Sequence, residues 1–155
     1  MSPAAFIDAN IPIYAAGRPH PLKEPCVGVL LLAAENPQAF VTHAEVLQEL
    51  HRYLSLRLWP LGREALSQFC ELMHGRVEAV RAEDVERAAE LADAHQELSA
   101  RDLLHAAVMQ RLGLRHIISA DTGLDRLPEL ERLDPARVGA WEVSVVYGDE
   151  FGLSV

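Results

Sequence analysis

In the stretch FIDANIPIY, residues 6–14, the apolar pair Phe6 and Ile7 is followed by a single carboxylate, Asp8. Together with the two alanines before it, the run AAFI at residues 4–7 is typical of a short strand buried in a sheet. A charged side chain at the end of such a strand has two explanations. It accepts backbone hydrogen bonds in the turn that follows, as Asp often does, or it takes part in binding. The rest of the sequence has to decide between them.

The composition predicts one domain spanning residues 1–155. A chain of 155 residues that is 50% hydrophobic is long enough to bury a sizeable core. No run approaches the roughly 20 apolar residues of a membrane span, and the N-terminus lacks a signal peptide's basic and apolar regions. We therefore expect a cytoplasmic protein with no membrane partner. Cys26 and Cys70 are too few for a disulfide framework, so we expect two reduced thiols.

The charge balance limits the class of partner. With 23 acidic and 14 basic residues the formal net charge is −9, which argues against broad electrostatic binding to nucleic acid or anionic membranes. A role in nucleic-acid chemistry therefore needs a local source of positive charge.

Strand and helix patterns alternate along the chain. This order predicts an α/β fold, a three-layer α/β/α sandwich around a central parallel sheet. Pro60 is expected to break one helical stretch, and glycines are expected to end two helices. The predicted strands are residues 4–7, 38–41, 76–82, 115–119 and 130–134, and the predicted helices are residues 22–35, 41–60, 63–75, 83–98 and 99–113.

Four acidic residues occupy positions that matter in such a fold. Ligands of open parallel sheets bind beyond the carboxyl ends of the strands, where Asp8 and Asp121 are expected to lie. Asp102 opens a helix three residues after Ser99. Glu49 falls on the edge of the apolar stripe of its own helix, from which a side chain can reach a cleft.

Each acid also has an ordinary structural explanation. Asp8 is a favourable turn residue, and Asp121 is a favourable N-cap for the short helix after it. Asp102 with its upstream serine resembles a capping box, with Asp in place of Glu or Gln. Glu49 has Arg52 three residues on as a partner for a solvated ion pair. Taken one at a time, none of the four acids indicates a function.

The order of the four motifs is more specific than any one of them. The sequence places an Asp-x-Asn after the first strand, a Glu in VLQEL, an Asp in ARDLLHAA and a late SAD. Over residues 4–134 this order resembles the PIN domain and, more narrowly, the VapC-like ribonuclease toxins of bacterial toxin–antitoxin pairs. The residues that match the family's acidic quartet are Asp8, Glu49, Asp102 and Asp121, and those that match its accompanying positions are Asn10, Ser119 and Asp125.

The resemblance implies an endoribonuclease that depends on Mg²⁺ or Mn²⁺. In such an enzyme the four acids hold one or two hard cations, which activate water and neutralise charge on the phosphate. Bound ions also offset part of the negative charge of the cluster. Asn10 would orient a water or a ligand, Ser119 would hydrogen-bond a neighbouring carboxylate, and Asp125 ranks below the quartet.

The resemblance also implies partners. These are an RNA substrate, a cognate antitoxin protein that restrains the toxin, and a second copy of the chain in a homodimer. The antitoxin is expected to lie between apolar helices and to direct a basic side chain at the acids. Arginines near the rim are expected to contact RNA phosphates, with Arg18, Arg52 and Arg101 as candidates. His43 and His105 are expected to be structural rather than metal ligands.

Two other functions stay open at this point. A phosphoacceptor or phosphatase-type α/β domain also places an Asp after its first strand, but it needs a late lysine, and Lys23 is the single lysine here. A catalytically silent PIN-like binding module is the other alternative, although all four acids are present. Residues 135–155 have no assigned role.

Overall fold

The computed structural model describes residues 3–57 and 59–148. Within these ranges the chain forms five strands, seven α-helices and three short 3₁₀ helices. The strands are β1 (Ala5–Ile7), β2 (Phe40–His43), β3 (Val77–Glu78), β4 (His116–Ile118) and β5 (Glu131–Leu133). The α-helices are α1 (Asn10–Ala16), α2 (Lys23–Glu35), α3 (Ala44–Ser55), α4 (Trp59–Leu72), α5 (Ala82–Ala94), α6 (Ala100–Leu112) and α7 (Val138–Tyr147). The 3₁₀ helices are Pro37–Ala39, Thr122–Arg126 and Pro135–Arg137.

The strands form one parallel sheet in the order β3-β2-β1-β4-β5. β1 is central, and its Phe6 aligns with Val41 of β2 on one side and Ile117 of β4 on the other. The connection changes direction at β1, so the carboxyl ends of β1 and β4 form the switch point at which such sheets bind ligands. The predicted three-layer α/β architecture is confirmed.

The middle of the sheet is apolar on both faces. Phe6, Ile7, Ile117 and Ile118 are all completely buried, as expected for parallel strands covered by helices on both sides. The backbone N–H of Asp8 still donates to the Ile118 carbonyl at 3.1 Å, which extends the ladder one residue past β1. Asp8 is therefore fixed to the rigid end of the central strand.

Helix α6 is fixed at both ends. The Ser99 hydroxyl accepts from the Asp102 N–H at 3.1 Å, which is one half of the predicted capping box. At the other end Gly113 has φ 73°, and the N–H of Leu114 bonds back to the Met109 carbonyl at 2.8 Å. This closure requires a residue that tolerates the left-handed region, as predicted from the glycine. The defined ends determine where the side chains of the first two turns point.

Prolines account for two differences from the predicted boundaries. The second strand begins at Phe40 rather than residue 38, because Pro37 starts a 3₁₀ turn that occupies residues 37–39. Pro60 does not break a helix but lies in the first turn of α4, where a missing N–H leaves no hydrogen bond unmade. α3 has already ended at Ser55.

Other boundaries differ as well. α4 ends at Leu72, and Gly75, predicted to be its C-cap, instead takes φ 80° in the turn before β3. α1 was not predicted, because Pro12 and the short run of residues 10–16 obscure its pattern.

The stretch after residue 134 adds a helix to the core. Trp141, Val145 and Val146 of α7 are at least nine-tenths buried, and the Trp141 indole donates to the Asp134 carbonyl at 2.9 Å. None of the described helices is long and apolar enough to cross a bilayer.

Candidate metal centre at the sheet edge

The four predicted acids reach the sheet edge from four different elements. Asp8 follows β1, Asp121 follows β4, Glu49 lies in the middle of α3, and Asp102 lies in the first turn of α6. Burial and then the charge of Asp8 raise the pKa of Glu49, while burial and then the charge of Asp121 raise the pKa of Asp102. The fold thus brings all four carboxylates into one electrostatic neighbourhood.

Asp8 is held by donors on both carboxylate oxygens. Its Oδ1 accepts from the Ala9 N–H at 2.7 Å and lies 3.2 Å from His105 Nε2. Its Oδ2 accepts from the Ser119 hydroxyl at 2.7 Å and from Asn10 Nδ2 at 3.3 Å. Burial alone would raise the pKa of Asp8, but these hydrogen bonds and the attraction of His105 outweigh it and lower the pKa. Asp8 is therefore an ionised, oriented carboxylate.

Asn10 and Ser119 connect the end of β1 to the loop after β4. Asn10 Nδ2 donates to Ser119 Oγ at 2.9 Å, and Asn10 Oδ1 accepts from the Ala120 N–H at 3.1 Å. The Asp121 N–H in turn donates to Ser119 Oγ at 3.0 Å. These bonds set the position of Asp121 relative to Asp8.

Glu49 is mostly shielded from solvent. Its side chain is 16% exposed, and Oε1 pairs with Arg101 Nε at 3.1 Å rather than with Arg52 of its own helix. Its Oε2 is buried and has no hydrogen-bond partner among residues 3–57 and 59–148. A buried carboxylate oxygen without a partner is unfavourable unless a cation occupies the position beside it.

Asp102 and Asp121 also have the local roles that the sequence suggested. The Asp121 carboxylate accepts from the Gly123 N–H at 2.9 Å and caps the 3₁₀ helix Thr122–Arg126. The Asp102 N–H is capped by Ser99. A cap leaves carboxylate oxygen free, so the local role and a role in the cluster are compatible.

Asp125, by contrast, forms an ion pair with Arg132. The two contacts are 2.9 Å and 3.3 Å, and the Asp125 side chain is 54% exposed. Arg132 also donates to the Ser119 carbonyl at 3.0 Å. Asp125 is thus linked to the site indirectly. Arg132 was not identified from the sequence, because an arginine on an edge strand usually only faces solvent.

The arrangement fits a divalent cation. Ligand-type atoms of Asp8, Glu49 and His105 lie within 4.8 Å of one another, which is a suitable span around one ion. Glu49 also has an oxygen, Oε2, that is buried and makes no hydrogen bond within the described part of the chain. Carboxylate oxygens are the ligands that Mg²⁺ and Mn²⁺ prefer.

Comparison with known proteins agrees with the fold. The PIN-domain family model matches residues 5–130. A VapC ribonuclease of Mycobacterium bovis is 38% identical over 132 residues, covering 83% of this chain and 98% of the relative. The chain therefore belongs to the PIN-domain family and, within it, to the VapC ribonucleases. Nucleases of this family generally depend on divalent metal ions.

Two solved structures share the fold. Mycobacterium tuberculosis VapC20, described as a sarcin–ricin loop cleaving toxin, superposes with a TM-score of 0.66 at 22% identity, covering 81% of this chain and 95% of that chain. VapBC2 of Rickettsia felis, bound to a DNA fragment from its promoter, superposes with a TM-score of 0.65 at 20% identity, covering 84% of this chain and 98% of that chain.

Proposed function

We propose that this protein is a metal-dependent endoribonuclease that cleaves RNA phosphodiester bonds as the toxin of a toxin–antitoxin pair. The observation that carries the proposal is the buried Oε2 of Glu49, which has no hydrogen-bond partner in the part of the chain that the structure describes. Its side chain lies beside the ionised Asp8, in a chain of the VapC ribonucleases. Mg²⁺ or Mn²⁺ is the metal that suits these oxygens.

The acids have distinct parts in the proposed reaction. Asp8 and Glu49 bind the metal directly, and Asp102 and Asp121 complete the cluster from α6 and the β4 loop. Ser119 and Asn10 keep the Asp8 carboxylate in one orientation. A divalent cation held there would lower the pKa of an attacking water and neutralise charge on the phosphate.

Arginines at the rim are proposed to contact the RNA backbone. Arg101 is 40% exposed on its side chain and pairs with Glu49, so it lies at the mouth of the cluster. If Glu49 were to bind a metal, the Arg101 guanidinium would be free to pair with a phosphate. Arg18 and Arg52 are exposed as well and remain candidates.

An antitoxin and a second copy of the chain are the proposed protein partners. The solved VapBC2 structure is a toxin–antitoxin complex, and a small protein is proposed to restrain this chain in the same way. A groove lined by His51 of α3 and by Trp59, Leu66 and Cys70 of α4 offers apolar surface for it. Light scattering on the purified chain will test the homodimer.

The structure does not place a lysine where a phosphoacceptor domain needs one. Lys23 donates to the Gly17 carbonyl at the start of α2, where it is tied to the α1–α2 connection. The single lysine of the chain is therefore not placed as a phosphoacceptor domain requires, whereas a PIN-domain nuclease needs no such lysine.

Cleavage of RNA by protein freed of antitoxin tests the function. We expect cleavage with Mg²⁺ or Mn²⁺, and loss of cleavage in excess chelator. Glu49→Gln should abolish it, while Glu45→Gln, one turn earlier on the same helix, should have almost no effect. Cleavage that persists in chelator, or equal effects of the two variants, would contradict the proposal.

A further inference from the structure

Two buried histidines connect Asp8 to the N-terminus of α3. His43 and His105 are 0% and 1% exposed, so solvent does not reach either ring. His105 Nδ1 lies 2.9 Å from His43 Nε2, and His105 Nε2 lies 3.2 Å from Asp8 Oδ1. His43 Nδ1 accepts from the backbone N–H of Val46 at 3.3 Å. All four ring nitrogens therefore have a partner.

The backbone amide determines the direction of this chain of hydrogen bonds. An amide N–H only donates, so His43 Nδ1 must present a lone pair to Val46. A charged imidazolium would carry a proton on both nitrogens, so a ring that accepts at Nδ1 is neutral. A neutral ring without a proton on Nδ1 carries it on Nε2 and donates to His105 Nδ1.

The same logic places the proton of His105. Its Nδ1 accepts from His43, so its proton lies on Nε2 and is donated to Asp8 Oδ1. The reverse direction would place a proton on His43 Nδ1, facing the Val46 N–H, so that two donors would meet. His105 Nε2 consequently has no lone pair to offer a metal, although the His105 ring belongs to the cluster with Asp8 and Glu49.

We infer that His43 and His105 form a one-directional hydrogen-bond relay that positions Asp8 for metal binding. The inference rests on the proposed function, because Asp8 is the metal ligand that it orients. His43 caps α3, and Glu49 lies six residues further along that helix. The relay thus ties the carboxylate of β1 to the helix that carries Glu49.

Packing against Phe6 holds the two histidine rings in fixed positions. Phe6 lies beside both, with ring centroids 4.9 Å from His43 and 5.5 Å from His105. The two histidine rings are themselves 4.9 Å apart. A partner group of this kind behind a metal ligand typically changes metal affinity 10–100-fold when it is removed.

Nitrogen NMR of the metal-free protein tests the direction of the relay without any cleavage assay. At neutral pH both rings should show the neutral Nε2–H tautomer, with signals assigned by their loss in His43→Ser and His105→Gln. Addition of Mg²⁺ should leave the His105 tautomer unchanged. An Nδ1–H tautomer in either ring, or coordination of Mg²⁺ by His105 Nε2, would overturn the relay.

Variants separate positioning from packing. His105→Leu removes the donor to Asp8 and should weaken Mg²⁺ binding, measured by calorimetry, about 10–100-fold. His105→Gln keeps an N–H donor at a similar reach and should recover most of the affinity. His43→Ser keeps an N-cap acceptor for α3 but does not reach His105, so it should give an intermediate loss. His74→Gln, at an exposed histidine, should bind as wild type.

Failure of the relay and failure of the proposed function give different results. Equal Mg²⁺ affinity in wild type and His105→Leu, or an affinity in His105→Gln as low as in His105→Leu, would refute the relay while cleavage stays chelator-sensitive. If His105→Leu does not fold, the Gln and Ser variants and the tautomers decide the question. Chelator-resistant cleavage would instead refute the metal mechanism, whatever the tautomers are.

Discussion

Neighbouring carboxylates in this site have opposite electrostatic environments. Asp8 has four donors around its two oxygens, and its pKa is lowered. Glu49 and Asp102 are half-buried with fewer compensating donors, and their pKa values are raised by burial and by the nearby acids. In the absence of metal, Asp8 is thus a stabilised charge, and the other two are charges that the fold tolerates at a cost.

Amide substitutions at Asp8 and Asp102 should therefore affect stability in opposite directions. Asp8→Asn turns one accepting oxygen into a donor that faces existing donors, which should cost about 1–3 kcal/mol of metal-free stability. Asp102→Asn keeps an acceptor and removes a repelled charge, so its metal-free melting temperature should equal or exceed that of wild type. Both variants should lose cleavage, and thermal melting in chelator measures the difference.

The result at Asp102 also decides between its cap and its proposed role in the cluster. If capping by Ser99 is its whole role, Asp102→Asn should cleave as wild type and show the full Mg²⁺-induced rise in melting temperature. If its carboxylate belongs to the metal centre, cleavage should fall sharply and the rise should be smaller. We expect the second result.

The raised pKa values also predict how stability depends on pH. Glu49 and Asp102 bind protons more readily in the folded chain than in the unfolded chain, so the folded state holds the extra protons. Stability then falls as pH rises from the ordinary carboxyl range through the raised pKa values. The lowered pKa of Asp8 acts in the opposite direction, but only at pH below its ordinary value of 3.8.

Melting in chelator from about pH 4, within the ordinary carboxyl range, to about pH 8 checks this dependence. We expect the melting temperature of the metal-free wild type to decrease with rising pH. The double variant Glu49→Gln, Asp102→Asn should show a flatter profile. A wild-type melting temperature that rises with pH would contradict the assignment.

At the scale of elements, the position of Glu49 depends on how α3 packs against α4. A Cβ at Gly62 of α4 would lie 2.8 Å from the Leu54 Cβ of α3, closer than carbon atoms approach without movement. By contrast, a Cβ at Gly28 of α2 would have no atom of the described residues within 4 Å. The two glycines offer a matched comparison within helices.

Gly62→Ala should therefore destabilise the protein, although alanine favours helix formation. The clash with Leu54 should outweigh the intrinsic gain of about 1 kcal/mol and displace α3. Gly28→Ala should stabilise the protein by about 0.5–1 kcal/mol, because it brings the same gain without a clash. Chemical denaturation of both variants and of wild type measures the difference. A stabilising effect of Gly62→Ala would show that α3 and α4 move apart at little cost.

The elements and the strand-end acids could be predicted from the sequence because both depend on local pattern. Apolar runs locate most strands and helices, Gly113 ends α6 as predicted, and the carboxyl ends of adjacent parallel strands bring Asp8 and Asp121 to one edge. The pairing of Glu49 with Arg101 and the contact between His43 and His105 could not be predicted in this way. They join elements far apart in sequence, and no periodicity encodes which side chains meet across the fold.

The whole molecule carries a formal net charge of −9, and its acidic cluster adds local repulsion. Monovalent salt screens the diffuse charge but does not coordinate carboxylates in a buried position. A divalent ion at the cluster acts on the local repulsion directly. General screening and specific metal binding should therefore be separable in one stability experiment.

Titration of free Mg²⁺ should make this separation and count the ions. Stabilisation by a ligand that binds only the folded state grows by about 1.4 kcal/mol per tenfold rise in free ligand above its Kd, for each ion bound. For a chain of this size that is a rise in melting temperature of about 3–5 °C per tenfold and per ion. A slope of twice that size indicates two ions.

NaCl at matched ionic strength should give a smaller rise without this logarithmic slope, and Asp8→Asn should lose most of the Mg²⁺ slope. An undiminished slope in Asp8→Asn would place the bound Mg²⁺ elsewhere on the acidic surface and remove Asp8 from the metal centre.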